Sequence, residues 1–400
     1  MAQINQAMQH LGEVRSVIRE IFEYGNRRAA EIGRENVFDF SLGNPSVPGP
    51  AEVDQGIVSL VQTGPSVALH GYTSAPGAPD VRQAIARDIN ARFGAGVSAG
   101  DIYMTCGAAA SLTVSLHALV CPGDEVIVFA PFFPEYRVFA EKAGAKVVVV
   151  EADTARFQIN FEALEQALSP RTKAVIINSP NNPTGVALSP ATVTRLCETL
   201  TRFGKERGEP VFLISDEPYR ELVYEDKTEI PYLICEYPHT LVCYSFSKSL
   251  SLPGERIGYI VVSPRMDCHD ALYAAVCGAG RALGFVCAPS LMQRLVARCL
   301  GKTADLSVYK TNRDLLYGEL TRLGFECVYP DGAFYLFVKA PGGDANAFSL
   351  LAREQELLVV PSDSFGCPGY VRISYCVATD MIRRALPAFG KLARACFGQV

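Results

Sequence analysis

The sequence of 400 residues contains no tryptophan, and several patterns that mark common classes of protein are also missing from it. No apolar run approaches the ~18 residues that a membrane-spanning helix needs, which predicts a soluble protein with no membrane partner. The 13 cysteines are scattered and include no Cys-X-X-Cys pair. This spacing argues against a disulfide framework and a structural zinc site, and reduced thiols are typical of a cytoplasmic protein.

The five histidines show neither metal-ligand spacing nor a convincing Ser-His-Asp order, so the sequence supports neither a metal centre nor a hydrolase. The net charge of −5 argues against nucleic acid as a main partner, because its phosphates would be repelled by the overall field. With 49% apolar and 20% charged residues, the composition is that of an ordinary globular enzyme. A chain of this length predicts two compact domains.

The first forty residues carry apolar side chains at helical spacing, interrupted by charged ones. This pattern favours an amphipathic helix over a signal peptide. The apolar positions are Val14, Val17, Ile18, Ile21 and Phe22, and the charged ones are Glu13, Arg15, Arg19 and Glu20.

Apolar runs alternate with helical stretches through the middle of the chain, which is the rhythm of a mostly parallel sheet covered on both faces. The runs lie at 126–130, 146–150, 174–177, 211–214, 241–244 and 257–262, and the helical stretches include 161–168 and 190–203. After residue 300, a long helix, strands at 334–338, 357–361 and 370–375, and a last helix from about 379 are expected. We therefore predict an α/β fold with a three-layer large domain at 46–300, and a smaller α+β domain made of 1–45 and 301–400.

The most informative segment runs from Ser245 to Gly258, Ser-Phe-Ser-Lys-Ser-Leu-Ser-Leu-Pro-Gly-Glu-Arg-Ile-Gly. It places the amine of Lys248 in a turn of small hydroxyl residues, with the guanidinium of Arg256 eight positions later. Burial tends to lower the pKa of an amine and so frees it to condense with a carbonyl. The hydroxyls and Arg256 suit a phosphate, and pyridoxal 5′-phosphate carries both an aldehyde and a phosphate.

Three further segments agree with that chemistry. The run 211–219 reads as a buried strand that ends at Asp216, followed by Tyr219, where ligands bind in open α/β sheets. An aspartate there can keep a pyridine nitrogen protonated. The run 174–185 is a second strand that stops in Ser-Pro-Asn-Asn-Pro-Thr-Gly, and 102–112 resembles a strand turning into a helix through tiny residues suited to an anion. Each segment also has a simpler interpretation when it is taken singly. Lys248 could be an ordinary solvated lysine, Asp216 a helix cap, the run 174–185 a stiff loop, and the tiny residues of 102–112 ordinary helix formers.

As a set, the segments resemble the class I aminotransferases, of the aspartate, alanine and aromatic amino-acid type, within the fold-type I pyridoxal-phosphate enzymes. The resemblance implies that Lys248 forms the Schiff base with the cofactor and moves the substrate proton. It also implies that Asp216 pairs with the pyridine nitrogen, and that Asn182 and Tyr219 bond the ring oxygen. The phosphate would be held by Gly107, Ala108, Ser245 and Arg256, with Ala109 at a position where relatives often carry a polar residue.

The resemblance also assigns an aromatic residue to the face of the cofactor ring. Relatives commonly use tryptophan, and the matching segment Pro-Phe-Phe-Pro-Glu-Tyr at 131–136 offers Phe133, whose phenyl face can still stack. Core packing is the competing interpretation of Phe133. Tyr72 matches a tyrosine that reaches the phosphate of the neighbouring subunit, so a homodimer with shared sites is expected.

Substrate contacts follow from the same resemblance. Arg372 alternates with apolar neighbours in the run 370–375, where it would grip the substrate α-carboxylate. A buried structural salt bridge is the alternative. Gly43 would approach the substrate, and Asn182 would also face it. Arg281 lies at about the position of an arginine that binds a side-chain carboxylate across the dimer, although a surface ion pair explains it equally well.

The expected activity is transfer of an amino group from an L-amino acid, most simply aspartate, to a 2-oxo acid such as 2-oxoglutarate by a ping-pong mechanism. Two other enzymatic activities stay open, namely an alanine or aromatic aminotransferase and a carbon–sulfur β-lyase that uses the same cofactor. A ligand-sensing transcription regulator is a third alternative, but the acidic chain shows no room for a helix-turn-helix ahead of the family segment.

Overall fold

The computed structural model describes residues 4–13, 16–225 and 227–398. Thirteen strands are found in these residues. In chain order they are β1 Phe38–Asp39, β2 Ile102–Thr105, β3 Glu125–Phe129, β4 Lys146–Val150, β5 Thr172–Asn178, β6 Phe212–Asp216, β7 Thr240–Ser245, β8 Gly258–Val262, β9 Cys327–Val328, β10 Tyr335–Lys339, β11 Leu357–Leu358, β12 Val360–Pro361 and β13 Tyr370–Ser374.

Sixteen α-helices are found in the same residues. They are α1 Gln6–Glu13, α2 Val17–Ile32, α3 Ala51–Thr63, α4 Ser66–His70, α5 Pro79–Phe93, α6 Ala108–Leu119, α7 Glu135–Lys142, α8 Phe161–Ala167, α9 Pro190–Arg207, α10 Leu233–Glu236, α11 Phe246–Ser249, α12 His269–Ala282, α13 Ser290–Arg298, α14 Leu306–Arg322, α15 Ala345–Arg353 and α16 Thr379–Phe397.

The chain divides into two compact units. The larger consists of Val47–Ser307 with Asp331–Ala333, and the smaller of Met1–Ser46, Val308–Pro330 and Phe334–Val400. We retain the boundaries predicted at 45/46 and 300/301 as a proposal for two separately folding domains.

The larger unit is built on a seven-stranded sheet in the order β2-β8-β7-β6-β5-β3-β4. Strand β8 runs antiparallel to both β2 and β7 and the other neighbouring pairs are parallel, so the six strands β2, β7, β6, β5, β3 and β4 end at the same edge. The strands are buried apolar runs because helices cover both faces. Helices α6, α7 and α12 pack on one face, and α5, α8, α9 and α13 bury apolar residues against the other. The prediction of a three-layer α/β fold with a mostly parallel sheet is confirmed.

The smaller unit contains a four-stranded antiparallel sheet, β12-β13-β10-β9, and a parallel pair, β1-β11. One strand prediction needs correction here, because the run 357–361 forms two short strands that join different sheets. Leu357 and Leu358 pair with β1, whereas Val360 and Pro361 pair with β13. A fully apolar run carries no alternation that would reveal this change of partner.

The predicted amphipathic helix near the N-terminus corresponds to α2, which begins at Val17. Ser16 caps it, since its side chain accepts a hydrogen bond from the backbone N–H of Arg19. Glu13 belongs to the separate helix α1. Val14 and Arg15, which the prediction also used, lie outside the described residues. None of the helices in the described part of the chain combines the length and apolar character that crossing a membrane requires.

Two glycines in α12 provide a test of its packing against the rest of the larger unit. A Cβ at Gly280 would lie 2.0 Å from the hydroxyl oxygen of Tyr103, whereas a Cβ at Gly278 would meet no atom within 4 Å. Gly280→Ala should therefore lower the free energy of unfolding by roughly 1–3 kcal/mol. Gly278→Ala should raise it by roughly 0.5–1 kcal/mol, because alanine favours the helix. Urea unfolding of both variants checks this, and equal effects would contradict the packing described.

Candidate active site

Lys248 lies just beyond the end of a buried central strand. Strand β7 runs directly into the single turn α11, and Ser245 caps that turn by accepting a hydrogen bond from the backbone N–H of Ser247 at 3.2 Å. The hydroxyl oxygens of Ser245 and Ser247 are 2.7 Å apart. Lys248 is half-buried among fully buried neighbours. Lys248 and these two hydroxyl residues thus belong to one short turn at the edge of the sheet where the parallel strands end.

An anion cradle is formed by the start of α6 together with Arg256. Gly107 is the N-cap of α6 with φ of 88°, and a Cβ there would lie 3.0 Å from Nη2 of Arg256. Only glycine therefore lets the guanidinium approach this helix end so closely. Backbone N–H groups in the first turn, at Ala108 and Ala109, have no partner within a helix and attract anions.

Arg256 itself adopts a strained backbone conformation. Its φ is 49°, in the left-handed region that non-glycine residues rarely occupy. Its Nη1 donates to the carbonyl oxygen of Pro253 at 3.0 Å and lies 3.5 Å from the hydroxyl of Ser247. Such strain is common at ligand sites. A guanidinium, two hydroxyls and a helix N-terminus together suit a phosphate group.

Asp216 ends strand β6 with its side chain buried. Its Oδ2 accepts a hydrogen bond from the hydroxyl of Tyr136 at 2.5 Å, while its Oδ1 is buried and has no hydrogen-bond partner among the described residues. Burial raises the pKa of Asp216 to about 7; the bond from Tyr136 lowers the pKa and the charge of Glu217 raises it. Burial also raises the pKa of Tyr136, which keeps that phenol protonated as a donor. A protonated pyridine nitrogen is the kind of donor that Oδ1 lacks.

The Asn-Pro-Thr-Gly loop is tied to Asp216 through Asn178, the last residue of β5. Asn178 donates from Nδ2 to the carbonyl oxygen of Asp216 at 2.9 Å, and its Oδ1 accepts from the backbone N–H of Asn182 at 2.7 Å. Asn181 supports the loop from within, since its Oδ1 accepts from the backbone and the hydroxyl of Thr184. Asn182 and Tyr219 are both buried next to these strand ends.

Phe133 lies beside the same group. Its ring centroid is 5.7 Å from that of Tyr136, and the two rings are nearly perpendicular. Phe133 is half-buried, so part of its ring is left uncovered in this chain. Its predicted stacking on a cofactor ring stays a prediction.

Arg372 and Gly43 belong to the smaller unit. Arg372, in β13, is only 2% exposed, and its Nη2 donates to the carbonyl oxygen of Ser41 at 2.5 Å. The guanidinium carbon lies 4.7 Å from the ring centroid of Tyr335 and 5.2 Å from that of Phe365. A Cβ at Gly43 would fall 2.1 Å from the hydroxyl oxygen of Tyr335. Gly43 and Arg372 therefore share an aromatic neighbour.

Tyr72, Arg256 and Arg281 are the predicted site residues that lie exposed on the surface of this chain. Tyr72 is 99% exposed, and Arg281 is exposed near the end of α12. Unlike the side chain of Arg256, those of Tyr72 and Arg281 form no hydrogen bond or ion pair with another described residue. Their predicted contacts across a dimer stay predictions.

The sequence analysis missed Tyr136, Asn178 and Ser247. The signal for Asn178 was present, because an amide at the end of a buried parallel strand lies next to the end of the neighbouring strand, which carries Asp216. Tyr136 carried no such signal, because its bond to Asp216 joins residues 80 positions apart. The described residues contain no group of three or more metal-ligating side chains.

The larger unit therefore fits pyridoxal phosphate on observations from this chain alone. The amine of Lys248 matches an aldehyde, the partnerless Oδ1 of Asp216 matches a pyridinium nitrogen, and the cradle at Gly107 and Arg256 matches a phosphate. This combination on a mostly parallel three-layer sheet defines the fold-type I class of pyridoxal-phosphate enzymes.

Comparison with known proteins narrows the class. The model of the family "Aminotransferase class I and II" matches residues 35–389, so the chain belongs to that family. The protein is accordingly a pyridoxal-phosphate-dependent aminotransferase, and the predictions of enzyme class and cofactor are confirmed.

Two curated relatives are informative. An aspartate aminotransferase of Thermotoga maritima is 33% identical over 88% of this chain and 90% of its own length. An aspartate/prephenate aminotransferase of Thermus thermophilus is 31% identical over 92% of this chain and 94% of its own.

Solved structures agree on the fold. A crystal structure of an amino transferase from Eubacterium rectale has a TM-score of 0.97 at 54% identity, covering 99% of this chain and 100% of that one. An aspartate aminotransferase from Thermus thermophilus with maleate has a TM-score of 0.84 at 27% identity, covering 98% and 100%.

The raised pKa of Asp216 predicts how the stability of the cofactor-free protein depends on pH. The carboxyl group ionises near 3.8 when unfolded and at about 7 when folded, so the folded state holds a proton that the unfolded state releases. Stability should therefore fall as pH rises between these values, by roughly 2–4 kcal/mol. Asp216→Asn cannot titrate and should lack this loss. Urea unfolding of both cofactor-free proteins at about pH 5 and about pH 8 measures the difference, and an identical loss in both would contradict the assignment.

Proposed function

We propose that this protein transfers the amino group of L-aspartate to a 2-oxo acid such as 2-oxoglutarate, in two half-reactions of a ping-pong mechanism. The observation that carries the proposal is the buried carboxyl group of Asp216, whose Oδ1 lacks a partner while Tyr136 holds Oδ2. A carboxylate fixed in this way keeps a pyridine nitrogen protonated. Pyridoxal phosphate bound there supplies an electron-withdrawing ring that accepts the electron pair left when the substrate Cα loses its proton.

Residues of the larger unit have the proposed roles in proton transfer and in binding the cofactor. The Nζ of Lys248 takes the proton from the substrate Cα and returns it during the exchange of the amino group. Asn182 and Tyr219 hydrogen-bond the ring oxygen, and Phe133 packs on the face of the ring. The backbone amides at 107–109, the hydroxyl of Ser245 and the guanidinium of Arg256 bind the phosphate. The strained φ of Arg256 supports this assignment, because strain is retained where a fixed guanidinium is needed.

The residue proposed to contact the substrate α-carboxylate is Arg372. Arg372 is buried, and a buried guanidinium is costly unless an anion meets it. Its flat, fork-shaped donor array matches a carboxylate in a two-pronged pair. Because Gly43 has no side chain, it can lie close to the hydroxyl of Tyr335, the aromatic residue that Arg372 also contacts.

Aspartate is favoured over alanine or an aromatic amino acid by the names of the relatives and by Arg281. Two relatives are aspartate or aspartate/prephenate aminotransferases, and the structure with maleate shows a four-carbon dicarboxylate at a related enzyme. A second carboxylate needs a second cation, and Arg281 is an exposed guanidinium without an ion-pair partner among the described residues. We propose that it serves the site of a partner subunit, which Tyr72 also reaches. The free thiols of all 13 cysteines support a cytoplasmic location.

The first experiment follows the visible absorbance of the bound cofactor. L-Aspartate should bleach this band and 2-oxoglutarate should restore it, which separates the two half-reactions. Lys248→Ala should bind the cofactor without reaction, with turnover reduced by at least about 10⁴-fold because the proton-transfer group is gone. Circular dichroism controls for folding. Full transaminase activity in Lys248→Ala would disprove the central assignment, and a band that responds only to alanine or aromatic amino acids would disprove the choice of substrate.

The role of Arg281 has its own test. Arg281→Gln should lower kcat/KM for aspartate by about 10- to 100-fold, which corresponds to the roughly 1.5–3 kcal/mol of a lost hydrogen bond to a charged group, with little change for alanine. Arg265 is a suitable control, since it donates to the backbone oxygens of Ile234 and Cys235 and has no proposed role at the site. An equal loss with both substrates would remove the argument for a dicarboxylate.

A further inference from the structure

A buried ion pair at the end of β6 takes no part in the chemistry proposed above. Glu217 is 2% exposed and Arg220 is 7% exposed. The Nε of Arg220 donates to Oε2 of Glu217 at 2.5 Å, and the hydroxyl of Ser215 donates to Oε1 at 2.7 Å. Burying two charges is costly, and such pairs are often no better for stability than apolar residues of the same volume. Stability alone therefore does not explain why this ion pair is buried.

Arg220 is held in one orientation. Its Nη1 and Nη2 donate to the carbonyl oxygens of Ile230 and Pro231, both at 2.9 Å. Its guanidinium carbon lies 5.2 Å from the ring centroid of Phe93 and 5.1 Å from that of Tyr232. All three kinds of guanidinium nitrogen are engaged, and two aromatic rings are in contact. The positive charge is consequently fixed in space.

The ion pair is connected to Asp216 through the backbone. Side chains alternate along a strand, so Glu217 with Ser215 and Asp216 lie on opposite faces of β6. The backbone N–H of Glu217 donates to the carbonyl oxygen of Cys243 at 2.9 Å, which fixes the residue after Asp216 on β7. Any shift of Glu217 therefore turns the neighbouring carboxyl group.

The charged and titratable groups around Asp216 come from several elements. Tyr136 on α7 donates to it, Cys243 on β7 is a buried thiol whose pKa is raised by burial, and Glu217 follows it in sequence. Tyr219 stands further along the same turn and interacts with Tyr136. Glu217 is the nearest of these groups in sequence and the one that carries a formal negative charge. Without a counter-charge it would favour protonation of Asp216.

We propose that the Glu217–Arg220 ion pair is a positioning device for Asp216, which fixes its orientation and partly offsets the charge of Glu217, and so sets how readily Asp216 ionises beside the cofactor. The catalytic part of this inference rests on the proposed function. The effect of the ion pair on the ionisation of Asp216 does not depend on that function.

Cofactor-free, full-length protein provides the first test. The ionisation midpoint of Asp216 is measured by carbon-13 NMR of labelled aspartate and is assigned with Asp216→Asn. Glu217→Gln leaves an uncompensated cation, because arginine does not lose its proton. The midpoint should fall by roughly one to two pH units. The double variant Glu217→Gln/Arg220→Met removes both charges and should return the midpoint toward that of the unmodified protein.

A matched control lies at the opposite edge of the same sheet. Glu125 begins β3, is 3% exposed, and accepts from the hydroxyl of Ser169 and the guanidinium of Arg171, so its partners have the same chemistry as those of Glu217. Glu125→Gln should leave the midpoint of Asp216 in place. If Glu217→Gln does not fold, Arg220→Met replaces it. The Asp216–Glu217 pair should then take up its first proton at higher pH than Asp216 does in the double variant.

Loaded enzyme provides the second test. In Glu217→Gln, kcat should fall about tenfold with KM for aspartate little changed, because a less basic Asp216 holds the pyridine proton less firmly. Nitrogen-15 NMR of labelled pyridoxal phosphate reads that proton directly. An unchanged midpoint in Glu217→Gln, or an equal shift in the double variant, would overturn the inference. Failure of the unmodified protein to bind pyridoxal phosphate would instead overturn the proposed function and leave the cofactor-free titration valid.

Discussion

The placement of one buried carboxyl group, that of Asp216, governs the rest of the site. A buried carboxyl group is costly when ionised, and among the described residues this one accepts a single side-chain hydrogen bond, from Tyr136. The parallel sheet makes the arrangement possible, because Asn178 pairs with Asp216 in the register of β5 and β6, and Asp216 pairs with Cys243 on β7. The amide of Asn178, the carboxyl group of Asp216 and the turn that bears Lys248 thereby meet at one edge of the sheet.

Much of this edge could be predicted because strand ends and motifs are local properties of the sequence. The run before Asp216 is apolar without alternation, which is enough to predict a buried parallel strand that ends in a carboxylate. The turn at Lys248 is likewise visible as hydroxyl and small residues after an apolar run.

The parts that could not be predicted depend on contacts between distant segments. The bond from Tyr136 to Asp216 joins residues 80 positions apart, and nothing in the segment around Phe133 distinguishes the tyrosine from a core residue. The approach of Arg256 to Gly107 is of the same kind, since it depends on where β8 returns beside β2. The run 357–361 shows the limit for the fold, because its apolar residues fit either sheet equally well and only the packed structure assigns Leu358 and Val360 to different partners.

The two ends of the cofactor site carry opposite charge, and this polarity gives them different effects on the reaction. In the proposed site, the helix start at Gly107 and the guanidinium of Arg256 would attract the phosphate in every state of the reaction and so contribute uniform binding. Asp216 would contribute differently, because its negative charge would be matched to the protonated pyridine nitrogen on which the chemistry of the cofactor depends. A change at the cradle should therefore alter mainly cofactor affinity. A change in the charges around Asp216 should alter mainly the rate. The charge of Glu217 and its pairing with Arg220 should therefore affect the rate although neither residue is proposed to contact the substrate.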